Sequence, residues 1–246
     1  MNQSIKLLAL AFFQLVVAIP SASAENPVQA PAETKLAGPH DSSIIVRMQG
    51  PYDAEVPLQI VCYFKKSAES DKKMTGAPVE LDKRLGGLIS SLRNRGEFTG
   101  DDLEVLIIDA PAETIKPKKL LLIGLGDEAN LSLQKMTQIG ISGLREAAKL
   151  GATKVAFAPL IRDQGNNRLK TGDVESAVIR GMLMAYDTER RLQKQGFAKS
   201  YALQNWVVEA GPAYYEETIS GVKKGIAEAG TAIQARDVQP YSTKSK

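Results

Sequence analysis

Two short, continuously apolar runs, Val105 to Ile108 and Leu120 to Ile123, restrict the possible folds of this chain most tightly. Runs of that length without polar alternation suit strands covered on both faces, and such strands need helices on either side of their sheet. A helix precedes them. Leu81, Leu85, Leu88, Ile89 and Leu92 share one apolar stripe, and Gly96 follows Asn94 and Arg95 where a helix commonly closes on a left-handed residue. Gly124-Leu125-Gly126 then turns the second strand toward the next helix.

The same alternation runs through the rest of the chain. Ile44 to Met48 and Leu58 to Phe64 read as strands, the latter rich in Val, Ile, Tyr and Phe, and the polar stretch Lys65 to Thr75 reads as a loop. Ser132 caps a helix running to Leu150 and stopped by Gly151. Gly140 and Gly143 in that helix point to close packing against the sheet. Lys154 to Ala158 is a strand, and Gly172 to Lys194 a long helix with Asp173 and Glu175 at its dipole-favoured start. A strand over Ala202 to Glu209 and a helix from Tyr214 to Arg236 complete the series. Strands alternating with helices predict a three-layer α/β/α sandwich with a mixed, largely parallel sheet.

The first residues carry a different signal. Lys6, the apolar run Leu7 to Ile19 and the small residues Ala22-Ser23-Ala24 form a signal-peptide pattern. The run is short of the roughly 20 residues of a membrane span, so a cleaved secretory signal is expected, with an uncleaved anchor as the alternative. The expected organisation is a signal at 1–24, a flexible lead-in at 25–41 rich in Pro and Gly, a folded domain at 42–238 and a frayed tail at 239–246. The mature protein is then exported, periplasmic or secreted, with no membrane segment. Its single cysteine, Cys62, makes no internal disulfide and reads as a small buried hydrophobe. A net charge of +3 over 246 residues gives no basis for nucleic-acid binding.

The run Leu81-Asp82-Lys83-Arg84-Leu85-Gly86-Gly87-Leu88-Ile89-Ser90, followed by Arg95-Gly96-Glu97-Phe98-Thr99-Gly100, resembles the N-terminal domain of the leucyl aminopeptidase family. Leu120 to Gly126 and Arg180-Gly181-Met182-Leu183-Met184-Ala185-Tyr186 fit the same family, and Ala235 to Val238 resembles the start of its interdomain linker. The resemblance covers Ile44 to Val238. It implies a macro-domain-like fold. It places the family's two-metal peptidase centre in a C-terminal domain that would begin where this chain stops, so no catalytic residue is carried over.

The residues themselves add little chemistry. One histidine, His40, and no ligand spacing leave no metal site and no cofactor to expect. Gly124-Leu125-Gly126 has the strand-to-helix context of a phosphate loop, and the resemblance puts Gly86-Gly87 near a macro domain's phosphate-binding loop. The alternative is that all four glycines serve tight turns and close packing. Tyr186, Trp206, Tyr214 and Tyr215 are scattered and read as packing residues. The expected function is an exported, non-catalytic binding or regulatory domain, with a protein partner, a homo-oligomer or a small anionic ligand as its target. The alternative is the regulatory or assembly half of a metalloaminopeptidase that acts with a separate catalytic chain.

Overall fold

A computed structural model describes residues 32–236. The signal at 1–24 and the tail at 239–246 lie outside that range. Seven strands form one mixed sheet: β1 (Glu33–Ala37), β2 (Ser43–Arg47), β3 (Leu58–Tyr63), β4 (Val105–Asp109), β5 (Lys119–Gly124), β6 (Lys154–Ala158) and β7 (Asn205–Glu209). Their spatial order is β1-β2-β7-β6-β3-β5-β4. The inner pairs β2–β7, β7–β6, β6–β3 and β3–β5 are parallel, and only the outermost pairs β1–β2 and β5–β4 are antiparallel.

The period of two along β3 divides the core. Leu58, Ile60 and Cys62 face the large core under α4 (Leu133–Leu150), α5 (Thr171–Lys194) and α6 (Tyr215–Gln234). Val61 and Tyr63 face the smaller core under α2 (Gly76–Arg84) and α3 (Leu88–Arg95). Trp206 and Phe157, with ring centroids 5.9 Å apart, stack within the large core, and Cys62 is fully buried there.

Glycines bring the three large helices into backbone contact. A Cβ on Gly140 of α4 would lie 2.1 Å from the Val178 carbonyl of α5, and one on Gly181 of α5 would lie 2.1 Å from the Thr137 carbonyl of α4. Gly221 of α6 meets the Gly172 carbonyl in the same way. Gly143 packs on the sheet as expected, against Ile60 and Trp206, but Gly140 packs on a helix.

Four other expectations are corrected. The stripe Leu81 to Leu92 belongs to two helices, because Gly86 and Gly87 both take positive φ (66° and 82°) and break the first. The stripe still points one way, with Leu81, Leu85, Ile89 and Leu92 all buried. Strand β4 is an edge strand with exposed ends rather than a doubly covered one. The lead-in expected at 25–41 contains β1, whose polar sequence pairs with β2 and is fastened by Glu33 to Arg47 and by Thr34 to the Tyr215 hydroxyl. The expected loop Lys65 to Thr75 contains α1 (Ala68–Lys73), a solvated helix held by a Ser67–Ser70 capping box.

The turn between β1 and β2 and the chain just past α6 meet at Asp187. This carboxylate, almost fully buried, accepts from His40 Nε2 at 2.9 Å, Arg191 Nε at 2.7 Å and Arg236 Nη1 at 2.6 Å. Burial opposes its ionisation, but the three donors outweigh it and hold its pKa below the ordinary range.

The glycine contacts set opposite expectations for two substitutions. Gly181→Ala inserts a methyl against backbone and should destabilise the domain by about 1–3 kcal/mol. Gly230→Ala, in α6 with open space around it, should stabilise it by up to about 1 kcal/mol. Urea unfolding of the two variants checks both signs.

Candidate functional site

Parallel strands that end together leave a crevice at their carboxyl edge. Here β2, β7 and β6 run side by side in one direction, and the segments that leave them enclose a cleft of about 530 Å³. Met48 to Tyr52 follow β2, Pro159 to Asp163 follow β6, and Ala210 to Tyr214 follow β7; the first turns of α5 supply Thr171, Val174 and Glu175.

The cleft is rich in carboxyl groups. Glu209, the last residue of β7, is 8% exposed. Its Oε1 accepts from Gln49 Nε2 at 2.9 Å and its Oε2 from Gln59 Nε2 at 2.8 Å. Burial outweighs both amides and raises its pKa to about 8. Glu175 is 2% exposed, its Oε2 has no hydrogen-bond partner, and burial alone raises its pKa to about 8. Burial also raises Asp163, against a lowering hydrogen bond from the Ala77 backbone. Glu175 was expected to serve the helix dipole; it faces a desolvated cleft instead, and Asp173 takes the solvated place and pairs with Lys224.

Arg162 is the cation in the lining, and it is engaged throughout. Its Nε donates to Thr171, its Nη1 to Asn166 and Asn167, and its Nη2 to the Leu169 carbonyl. The guanidinium lies 5.7 Å from the Tyr214 ring centroid. Arg162 therefore holds the loop before α5 in place, with each of its three nitrogens engaged within the chain. Beside it, the buried Gln164 donates to the Cys62 and Leu160 carbonyls and accepts from the Phe64 N–H, tying this loop to the end of β3.

The glycine candidates lie elsewhere. Gly86 and Gly87 sit at the α2–α3 junction, and their N–H groups bond the Lys83 and Asp82 carbonyls. The N–H groups of Gly124, Leu125 and Gly126 bond the carbonyls of Glu104, Tyr63 and Gly100, and a Cβ on Gly124 would lie 1.8 Å from the Asp101 carbonyl. All five donors are already bonded within the chain, so the expected cradle of free N–H groups is not formed, and none of these residues lines the cleft. Trp206 and Tyr186 are core residues, whereas Tyr214 lines the cleft. Among the described residues, no three of His, Cys, Asp and Glu stand close enough to hold a metal ion.

The comparisons with known proteins agree with this architecture. The profile of the cytosol aminopeptidase family, N-terminal domain, matches residues 60–195. A probable cytosol aminopeptidase of Thermosynechococcus vestitus is 27% identical over 125 residues, which is 51% of this chain and 24% of that protein. Another, from Persephonella marina, is 23% identical over 175 residues, covering 70% and 34%. The chain thus spans about a quarter to a third of the length of these relatives. The Oceanobacillus iheyensis macrodomain with ADP superposes with a TM-score of 0.55 at 11% identity, over 81% of this chain and 100% of that one. A tomato leucine aminopeptidase mutant gives 0.52 at 18%, over 79% and 37%. Both likenesses are of fold, and both fit the expected macro-domain-like sandwich.

The raised carboxyl groups make stability depend on pH. A glutamate with an ordinary value near about 4.3 when unfolded and about 8 when folded holds its proton longer in the folded state. Its contribution is complete below the unfolded value and is lost as pH rises through about 8. Melting temperature should therefore fall between about pH 5 and about pH 9, reflecting a loss on the order of a few kcal/mol. Glu175→Gln and Glu209→Gln should each flatten that decline, which thermal melts across the range will measure.

Proposed function

This chain belongs to the cytosol aminopeptidase family, matching its N-terminal domain, and from that premise we propose that it works as a non-catalytic binding domain. The observation that carries the reading is the cleft at the carboxyl edge of the sheet. It presents three carboxyl groups, one with an unpartnered buried oxygen, and no unengaged cation. As its carboxyl groups ionise, such a lining accepts hydrogen bonds and rejects negative charge. The ligand class is therefore a small molecule, or the end of a peptide, that presents amine or amide N–H groups. A bound ammonium group would stabilise the ionised form of Glu175 and Glu209, so binding releases protons and tightens as pH rises toward about 8. A structurally similar macrodomain is described with ADP; in this cleft a phosphate would meet three carboxyl groups, and the glycine loops offer it no free N–H.

A second reading follows from the matched length. The relatives extend well beyond the aligned segment, and in that reading this domain regulates or assembles a metalloaminopeptidase whose catalytic centre lies outside it. Mixing the purified protein with a family catalytic domain and measuring leucyl-amide turnover separates this reading from an independent binding role. We also propose export, because Lys6, the apolar run to Ile19 and Ala22-Ser23-Ala24 form a cleavable signal pattern; sequencing of the mature protein should begin at Glu25.

Calorimetric titration with short peptides and their N-acetylated forms tests the cleft. Free amino ends should bind, acetylation should weaken them, and the Glu175→Gln/Glu209→Gln double variant should lose affinity roughly tenfold. Binding indifferent to acetylation, or saturable ADP-ribose binding in its place, would overturn the reading.

A further inference from the structure

A second hollow, of about 300 Å³, lies among α1, α2 and α3 and shares no lining residue with the cleft. Its buried side is formed by Tyr63, at the end of β3, and Arg93, in α3, which are 1% and 5% exposed. Each carries a donor with no hydrogen-bond partner among the described residues: Tyr63 Oη and Arg93 Nη1. The rest of the guanidinium is engaged, with Nη2 donating to the Phe64 carbonyl and to Asp71 Oδ1 at 3.2 Å each. Its centre lies 5.4 Å from the Tyr63 ring centroid. Buried donors are almost always satisfied in native proteins, so two orphans on one wall call for an acceptor that the chain itself does not supply.

Two carboxylates share the lining with these donors. Asp71 is partly exposed, and Asp82 accepts from the N–H and hydroxyl of Ser90 with lone pairs to spare. Met74, Val79 and Ile89 add apolar surface, and Val79 is 48% exposed. One guanidinium and two carboxylates give the lining a net negative charge, so a simple anion would be repelled. A ligand that carries an acceptor and a cation together matches the unpartnered donors and the carboxylates, and the volume lies at the small end for such pockets.

We propose that this hollow binds a free α-amino acid with an apolar side chain. The carboxylate takes the Arg93 Nη1 and Tyr63 Oη donors, the ammonium faces Asp71 and Asp82, and the side chain lies on Met74, Val79 and Ile89. The site stands apart from the cleft and does not depend on what the cleft binds.

Titration of the full chain with leucine, followed by calorimetry and amide NMR shifts, should saturate at millimolar concentration or below. Isocaproate lacks the ammonium and isoamylamine lacks the carboxylate, and each should bind roughly tenfold more weakly. Tyr63→Phe removes a hydroxyl that has no partner, so the melting temperature should hold or rise while leucine affinity falls roughly tenfold. Absence of saturable leucine binding, equal binding of either analogue by the unmodified protein, or unchanged affinity in a folded Tyr63→Phe protein would overturn the proposal. Should Tyr63→Phe unfold, the analogue comparison on the unmodified protein decides alone.

Discussion

The structure depends on how closely α5 lies between α4 and α6. Gly140 and Gly181 place each helix backbone against the other's carbonyls, and Gly221 and Gly172 repeat the contact on the far side of α5. This proximity lets three helices cover five parallel strands with one continuous core in which Trp206, Tyr186 and Met182 are fully enclosed. It also fixes where α5 begins. The first turns of α5 line the cleft together with the segments that leave β6 and β7, so Glu175 stands in the cleft rather than in solvent.

Burial in that cleft sets the chemistry of its carboxyl groups. A carboxyl group removed from water stays protonated to a higher pH, and nothing in the lining opposes this for Glu175. For Glu209 two amides do oppose it, and burial still prevails. Fold likeness at 11% identity extends to the path of the backbone, whereas the identity of the side chains at the strand ends decides what can be held there. Here those side chains are carboxyl groups, with Arg162 turned to the support of its own loop.

Much of the architecture was legible because its periodicities are local. The apolar stripe from Leu81 to Leu92, the capped helix after Ser132 and the strand Lys154 to Ala158 follow from patterns that neighbouring residues carry alone. Strand β1 was not legible, since Glu33 to Ala37 has little apolar content and owes its conformation to β2 across the sheet edge. The break at Gly86-Gly87 was visible as two glycines, yet the stripe passes through it unaltered, and only the positive φ values separate the helices. The cleft was hidden for a related reason. Glu175 interrupts the apolar face formed by Val174, Ala177 and Val178, and Glu209 ends a buried strand. Each is a single carboxylate out of place, and they share one cleft only because the start of α5 and the end of β7 reach the same edge of the sheet.

The anchorage at Asp187 has a mechanical meaning. His40 lies just before the first parallel strand and Arg236 just after the last helix, and one buried carboxylate grips both. Tension applied between these two points loads that junction before it reaches the sheet. The bonds from His40 at 2.9 Å and from Arg236 at 2.6 Å carry the load in series, and Arg191, one turn along the same helix, holds the carboxylate in place at 2.7 Å. The domain would thus respond to pulling between these points as a closed link, stiff up to the rupture of one buried cluster.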